Sequence, residues 1–136
     1  MVTAPDNMAP TERFTLRAAL GTREDGSWAA STVCDFEGRQ AGKNDSVAAR
    51  EFAGLILFGE QLILHSAHEF KTSARHFQRL EKAIRDNDDL LALVERSELG
   101  KMRMVGFRYS HGDEAIVLQN GAKIEFRTRT KSGLKG

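Results

Sequence analysis

Eight residues, Glu37 to Asn44, carry the plainest chemical signal in the sequence: "EGRQAGKN". They follow in part the phosphate-binding pattern G-x-x-x-x-G-K-[ST]. In that pattern backbone N–H groups cradle phosphate oxygens, the lysine reaches the β- and γ-phosphates, and the hydroxyl holds Mg²⁺. Gly42 and Lys43 stand where the pattern needs them. Glu37 replaces the first glycine, Gly38 comes one place late, and Asn44 replaces the Ser or Thr. On this reading Lys43 binds phosphate and Gly42 makes the tight turn. Gly38, Gln40, Ala41 and Asn44 supply further loop contacts. Arg39 lies against the γ-phosphate and stabilises charge as the bond breaks, as an arginine finger supplied in cis does. The competing reading is a strand-to-helix turn with a solvated lysine.

A second stretch, "HSAHEF", offers His65, His68 and Glu69 as possible metal ligands. The order H-x-x-H-E is not the helical H-E-x-x-H motif, and no cysteine is near. The better reading is a loop at the carboxyl end of a sheet strand, where ligands of α/β folds usually sit. The basic run "RTRTKSGLKG" could meet DNA phosphates or be a solvated strand end. His76 and His111 read as surface residues, and Cys34 as a small buried hydrophobe.

These groups need elements to position them. "TERFTLRAAL" places Phe14, Leu16, Ala18, Ala19 and Leu20 on a short helix with Thr11 as its cap. "GTREDGS" is a loop. "WAASTVCDF", residues 28–36, reads as a strand leading straight into the motif loop. From Lys43 the apolar positions Val47, Ala48, Phe52, Leu55 and Ile56 recur at helical spacing and stop near Phe58 and Gly59. "QLILHSA" reads as a buried strand. A helix follows with Phe70, Ala74, Phe77, Leu80 and Ile84 on one face, and "DDLLALVERSEL" extends it or forms a second one. Then come three strands, "KMRMVGFRYS", "EAIVLQ" and "AKIEFRTRT". Asn120 and Gly121, between the last two, are a strong hairpin signal. Strand, helix, strand, helix at this spacing predicts a βαβ unit and a parallel sheet.

Composition sets the outer bounds. The 136 residues suffice for one modest domain, and 40% apolar with 29% charged residues is an ordinary globular balance. A net charge of +1 gives no bulk argument for nucleic-acid or membrane binding. One cysteine allows no internal disulfide, which suggests a reducing cytosolic setting. The first ten residues are polar and lack the apolar core of a signal peptide. No apolar run approaches the length that spans a bilayer.

Taken in order, "GRQAGKND…AAREFAGLILFGEQLILHSAHEFKTSARHFQRLEKAI" and "SHGDEAIVLQNGAKIEFRTRTKSGLKG" resemble the large subunit of the double-stranded DNA phage terminase. The phosphate loop of that family commonly reads R-Q-x-G-K, which Arg39, Gln40, Gly42 and Lys43 match. The resemblance runs from about Thr11 to Gly136. It implies an ATP- and Mg²⁺-dependent DNA-packaging motor working in the cytoplasm of a bacterial host. Its partners would be double-stranded DNA, the portal protein and the terminase small subunit. It implies an α/β fold: a partial P-loop NTPase of the additional-strand type with a mostly parallel sheet, a βαβ core and a C-terminal β-hairpin. Residues 1–10 would be a flexible lead-in and residues 11–136 the N-terminal portion of the ATPase domain. The chain departs from the family in three ways. Thr11 and Glu12 stand where a Trp-Gln pair usually reads adenine, Glu37 puts negative charge beside the triphosphate, and the Walker B Asp-Glu and the nuclease are not present. The expectation is a truncated or split gene product without hydrolysis of its own. The alternative is a non-catalytic interaction module that completes a motor subunit in trans.

Overall fold

The computed structural model describes residues 9–36, 43–94, 96–99, 102–110 and 112–129. The chain divides into two compact units, Met1–Ala53 and Gly54–Gly136.

In the first unit, α1 (Pro10–Ala19) begins one residue before Thr11. Pro10 supplies the fixed φ that suits a first helical position. The side chain of Glu12 reaches back to accept the Ala9 N–H at 2.9 Å, so Ala9, not Thr11, holds the cap position. Residues 21–29 then fold into a small loop closed by a Thr22–Trp28 bridge. Asp25 Oδ1 accepts the Ser27 N–H at 2.9 Å and the Ser27 hydroxyl at 2.6 Å, and these bonds lower the Asp25 carboxyl below its usual value. The strand expected over residues 28–36 is absent: beyond the Trp28 bridge these residues are irregular and exposed. Strands need a partner, and the apolar content here, interrupted by Ser31, Thr32 and Asp35, offers little area to bury against one. Cys34 is accordingly exposed, not a buried strand residue. The helix α2 (Lys43–Phe52) lies against α1, and the Arg50 guanidinium sits 4.5 Å above the Trp28 ring. A π-helical turn, Ala53–Leu57, follows.

The second unit is built on a four-stranded sheet. Its strands are β1 (Leu62–Ala67), β4 (Phe107–Arg108), β5 (Glu114–Val117) and β6 (Lys123–Thr128), in the order β1-β6-β5-β4. A separate antiparallel pair joins β2 (Arg96–Leu99) to β3 (Met102–Val105). The sheet is mixed: β1 and β6 are parallel, whereas β6–β5 and β5–β4 are antiparallel. The mostly parallel sheet expected from sequence is thus corrected. Short turns between β4, β5 and β6 permit antiparallel pairing alone, and only the long β1-to-β6 connection allows a parallel one. The β5–β6 turn is a three-residue loop. Gly121 N–H bonds Leu118 O at 3.0 Å, Leu118 N–H bonds Ala122 O at 2.8 Å, and Gly121 takes a φ of 86°. That is a turn closed by a glycine bulge.

Successive strand residues face opposite sides of a sheet. In the paired register, Ile63, His65 and Ala67 share a face with Ile124 and Phe126 of β6, Ile116 of β5 and Phe107 of β4. The helix α3 (Phe70–Arg85) covers this face with Ser73, His76, Phe77, Leu80 and Ile84. These positions repeat at three and four residues, the spacing of one helix face. Phe126 is 1% exposed and forms the centre of the core. Exposed i,i+4 pairs, Glu81–Arg85 and Lys82–Asp86, line the outer side of α3. Asn87 then caps α4 (Asp88–Leu93), its Oδ1 accepting the Leu90 N–H at 3.1 Å. Gln119 Nε2 donates to the Ala92 carbonyl at 2.7 Å and ties α4 to the hairpin loop.

Candidate functional site

Of the phosphate-loop residues, Glu37, Gly38, Arg39, Gln40, Ala41 and Gly42 lie outside the described residues. Lys43 is the first residue of α2, and Asn44 and Asp45 are exposed on its first turn. The loop therefore ends where a helix begins, and the N–H groups of that turn carry partial positive charge suited to an anion. Phe36, the last described residue before the loop, is 93% exposed and belongs to no strand. The strand expected before the motif is absent, and the helix expected after it is present as α2. Asn44 puts a neutral amide oxygen where the pattern has a neutral hydroxyl, and Asp45 beside it adds a carboxylate, so this turn carries oxygen donors of the kind Mg²⁺ takes.

The "HSAHEF" residues part company. His65 lies inside β1 on the face covered by α3, whereas His68 and Glu69 form the exposed turn at the carboxyl end of that strand. Glu69 caps α3 through its backbone: its carbonyl accepts the Thr72 and Ser73 N–H groups at 3.1 and 3.2 Å. At the same end of the sheet, Arg129 N–H bonds the Ala67 carbonyl at 2.9 Å and Arg129 Nε donates to Ser66 Oγ at 3.1 Å. The expected loop at a strand's carboxyl end is there; a His65–His68–Glu69 ligand set is not.

His65 instead stacks on His76, their ring centroids 4.1 Å apart and their planes 14° from parallel. Both rings meet Phe126, at 5.6 and 6.2 Å. His76 is buried, contrary to its reading as a surface residue. The sequence signal was available: His76 falls three residues after Ser73 and four before Leu80, on the stripe that faces the sheet. The stacked pair packs against the core aromatic Phe126. His111 lies outside the described residues.

Two polar clusters flank this core. Tyr109 donates its hydroxyl hydrogen to Glu81 and accepts from Arg85 Nη2 at 3.0 Å, and Arg85 Nε donates to Glu81 at 2.8 Å. Partial burial and then the Glu81 carboxylate raise the Tyr109 hydroxyl above its usual value. The bonds to Glu81 and Tyr109 raise Arg85. On the opposite face of the sheet, Lys123, Glu125 and Arg127 alternate along β6. They border an open cleft of about 310 Å³ together with Arg108, Ser110 and Asp113. Lys123 first, and Arg127 second, hold the Glu125 carboxyl below its usual range. Arg108, Lys123 and Arg127 are balanced around the cleft by Asp113, Glu114 and Glu125, so it has no net preference for anions or cations.

No helix among the described residues is long and apolar enough to cross a membrane. No protein family matches the chain, and neither a curated protein nor a solved structure does.

Proposed function

We propose that the chain belongs to the ATPase domain of a phage terminase large subunit and carries a partial nucleotide site. The observation that carries this reading is positional: the R-Q-x-G-K residues Arg39, Gln40, Gly42 and Lys43 run directly into the N-terminus of α2. A helix that starts at the loop's lysine is the arrangement a phosphate cradle requires. The order of the remaining sequence segments, "LILHSA" and then "NGAKIEFRTRT", supports it by resemblance. In this reading Lys43 and Gly42 contact phosphate, Arg39 answers transition-state charge, and Gly38, Gln40, Ala41 and Asn44 complete the loop. ATP and Mg²⁺ are the cofactors. Double-stranded DNA, the portal and the small subunit are the partners, in the host cytoplasm.

Titration calorimetry with ATP and Mg²⁺ tests the site. The expected outcome is weak binding that Lys43→Ala removes. A dissociation constant near 1 μM, about −8 kcal/mol, would instead mean a complete site. Binding unchanged in Lys43→Ala would remove the loop from the reading. Reading the coding DNA beyond Gly136 tests the identity: an apolar segment ending in Asp-Glu is expected, and its absence from every frame counts against the motor.

A further inference from the structure

The two edges of the four-stranded sheet are protected very differently. At one edge β4 is only two residues long. At the other, β1 runs for six residues, Leu62–Ala67, and among the described residues it pairs on one side only. Natural sheets guard such an edge with proline, lysine, a bulge or a short strand. β1 has none of these: it contains no charged residue and no proline, and its ladder with β6 runs unbroken from Leu62 to Ala67.

Backbone geometry says which groups face outward. Lys123 N–H bonds Gln61 O at 3.1 Å and Arg129 N–H bonds Ala67 O at 2.9 Å. In a strand the N–H and C=O of one residue point to the same side, and the side alternates along the chain. Gln61, Ile63, His65 and Ala67 therefore face β6. Leu62, Leu64 and Ser66 direct their N–H and C=O groups away from the sheet. The side chains of Leu62 and Leu64 are also 57% and 58% exposed. Just before the strand, Leu57 and Phe58 are exposed as well.

We propose that β1 is a self-association edge, and that its occupant is the β1 strand of a second copy of this chain. Antiparallel pairing about a two-fold axis at Leu64 sets Leu64 against Leu64 of the second copy and Leu62 against Ser66. In that register every outward N–H and C=O of Leu62, Leu64 and Ser66 finds a partner. The two exposed Leu64 side chains meet across the dyad, and no like charges oppose each other. A two-fold pairing closes on itself, so the product is a dimer with one continuous sheet and not a fibre. A contact one six-residue strand long falls at the small end of interface sizes, below roughly 1,200 Å². The dimer is accordingly weak and depends on concentration. This inference stands apart from the proposed function, because it uses neither the phosphate loop nor nucleotide.

Sedimentation velocity on the full chain over a rising concentration series tests it. The expected result is a monomer–dimer equilibrium that Leu64→Lys shifts to monomer, with circular dichroism unchanged because Leu64 is exposed. A monomer throughout the series, or a dimer indifferent to Leu64→Lys, overturns the proposal. Register is tested by cross-linking in a Cys34→Ser background. Opposed residues of a hydrogen-bonded antiparallel pair have Cα atoms about 5.5 Å apart, within reach of a disulfide. Leu64→Cys should therefore oxidise to a covalent dimer, whereas Leu57→Cys, off the strand, should not. Equal cross-linking of the two variants overturns the assigned register.

Discussion

In Gly54–Gly136 the helix α3 buries five side chains against a sheet, whereas in Met1–Ala53 the helix α1 buries none and leaves Phe14 exposed. Both helices carry apolar residues at helical spacing, yet only α3 has a layered partner with a complementary face. The difference separates two demands on the molecule. The residues that match the R-Q-x-G-K pattern belong to the unit whose first helix buries no side chain. The unit with the core sets His65 and His76 against Phe126 and ties Tyr109 to Glu81 and Arg85 at its rim. A nucleotide site of the kind proposed gains precision from rigid support, so a unit whose first helix buries no side chain is a physical reason to expect weak binding.

The largest test of this contrast uses the chain's one tryptophan and one tyrosine. Trp28 reports on the first unit and Tyr109 on the second. Phe126→Ala should cost about 3–5 kcal/mol, a large fraction of a domain's stability of about 5–15 kcal/mol. In urea it should move the Tyr109 transition strongly, while Phe14→Ala shifts either signal by about 0.5 kcal/mol or less. If wild-type Trp28 and Tyr109 signals change together at one midpoint, the two regions are a single cooperative body and the contrast fails.

A smaller effect is expected at Gly121, whose φ of 86° closes the β5–β6 loop. Gly121→Ala forces a side chain into the left-handed region at about 1–2 kcal/mol. The Tyr109 midpoint should fall by that amount with the slope unchanged. A null result would mean that the loop relaxes without strain.

How much of this was legible beforehand depends on where the information lies. Helix α3, the strand ending at Ala67 and the Asn120–Gly121 hairpin are specified by residues close in sequence and form as elements. The buried stripe of α3 takes Ser73 and His76 in place of Phe70 and Ala74, and β1 is an edge strand with Leu62 and Leu64 exposed instead of a buried one. The strand expected over 28–36 depended on a distant partner, which local composition cannot reveal. The parallel character of the sheet was overestimated for the same reason: pairing direction follows connection length, and three of the strands lie a few residues apart. Cys34 and His76 exchanged their expected environments, because burial is decided by what packs on a residue and not by its type. The candidate site is legible as a motif together with the helix read from Lys43 onward, which α2 bears out.

The smallest expected effect lies on the charged strip of β6. The Glu125 carboxyl is held below its usual value of 4.5 by Lys123 and then Arg127. A depressed carboxylate stabilises the fold fully above that value, and the contribution disappears as pH falls through the lowered one. Glu125→Gln should therefore leave a flatter stability profile below about pH 4.5 than the wild type shows. Identical acid limbs would mean that the ion pairs add nothing to the fold, as exposed pairs often do.

The parallel match of Leu62 with Lys123 joins residues about sixty positions apart. Loop closure of that length is slow compared with a hairpin turn. During synthesis β1 leaves the ribosome long before β6 exists, so the apolar Leu62, Ile63 and Leu64 must wait through the making of α3, α4 and four further strands. Until residues 123–128 emerge, both sides of β1 are open, not one. The nascent chain is thus most vulnerable to misassociation in the interval between its two parallel strands. A chaperone acting there would have an unpaired apolar strand to hold.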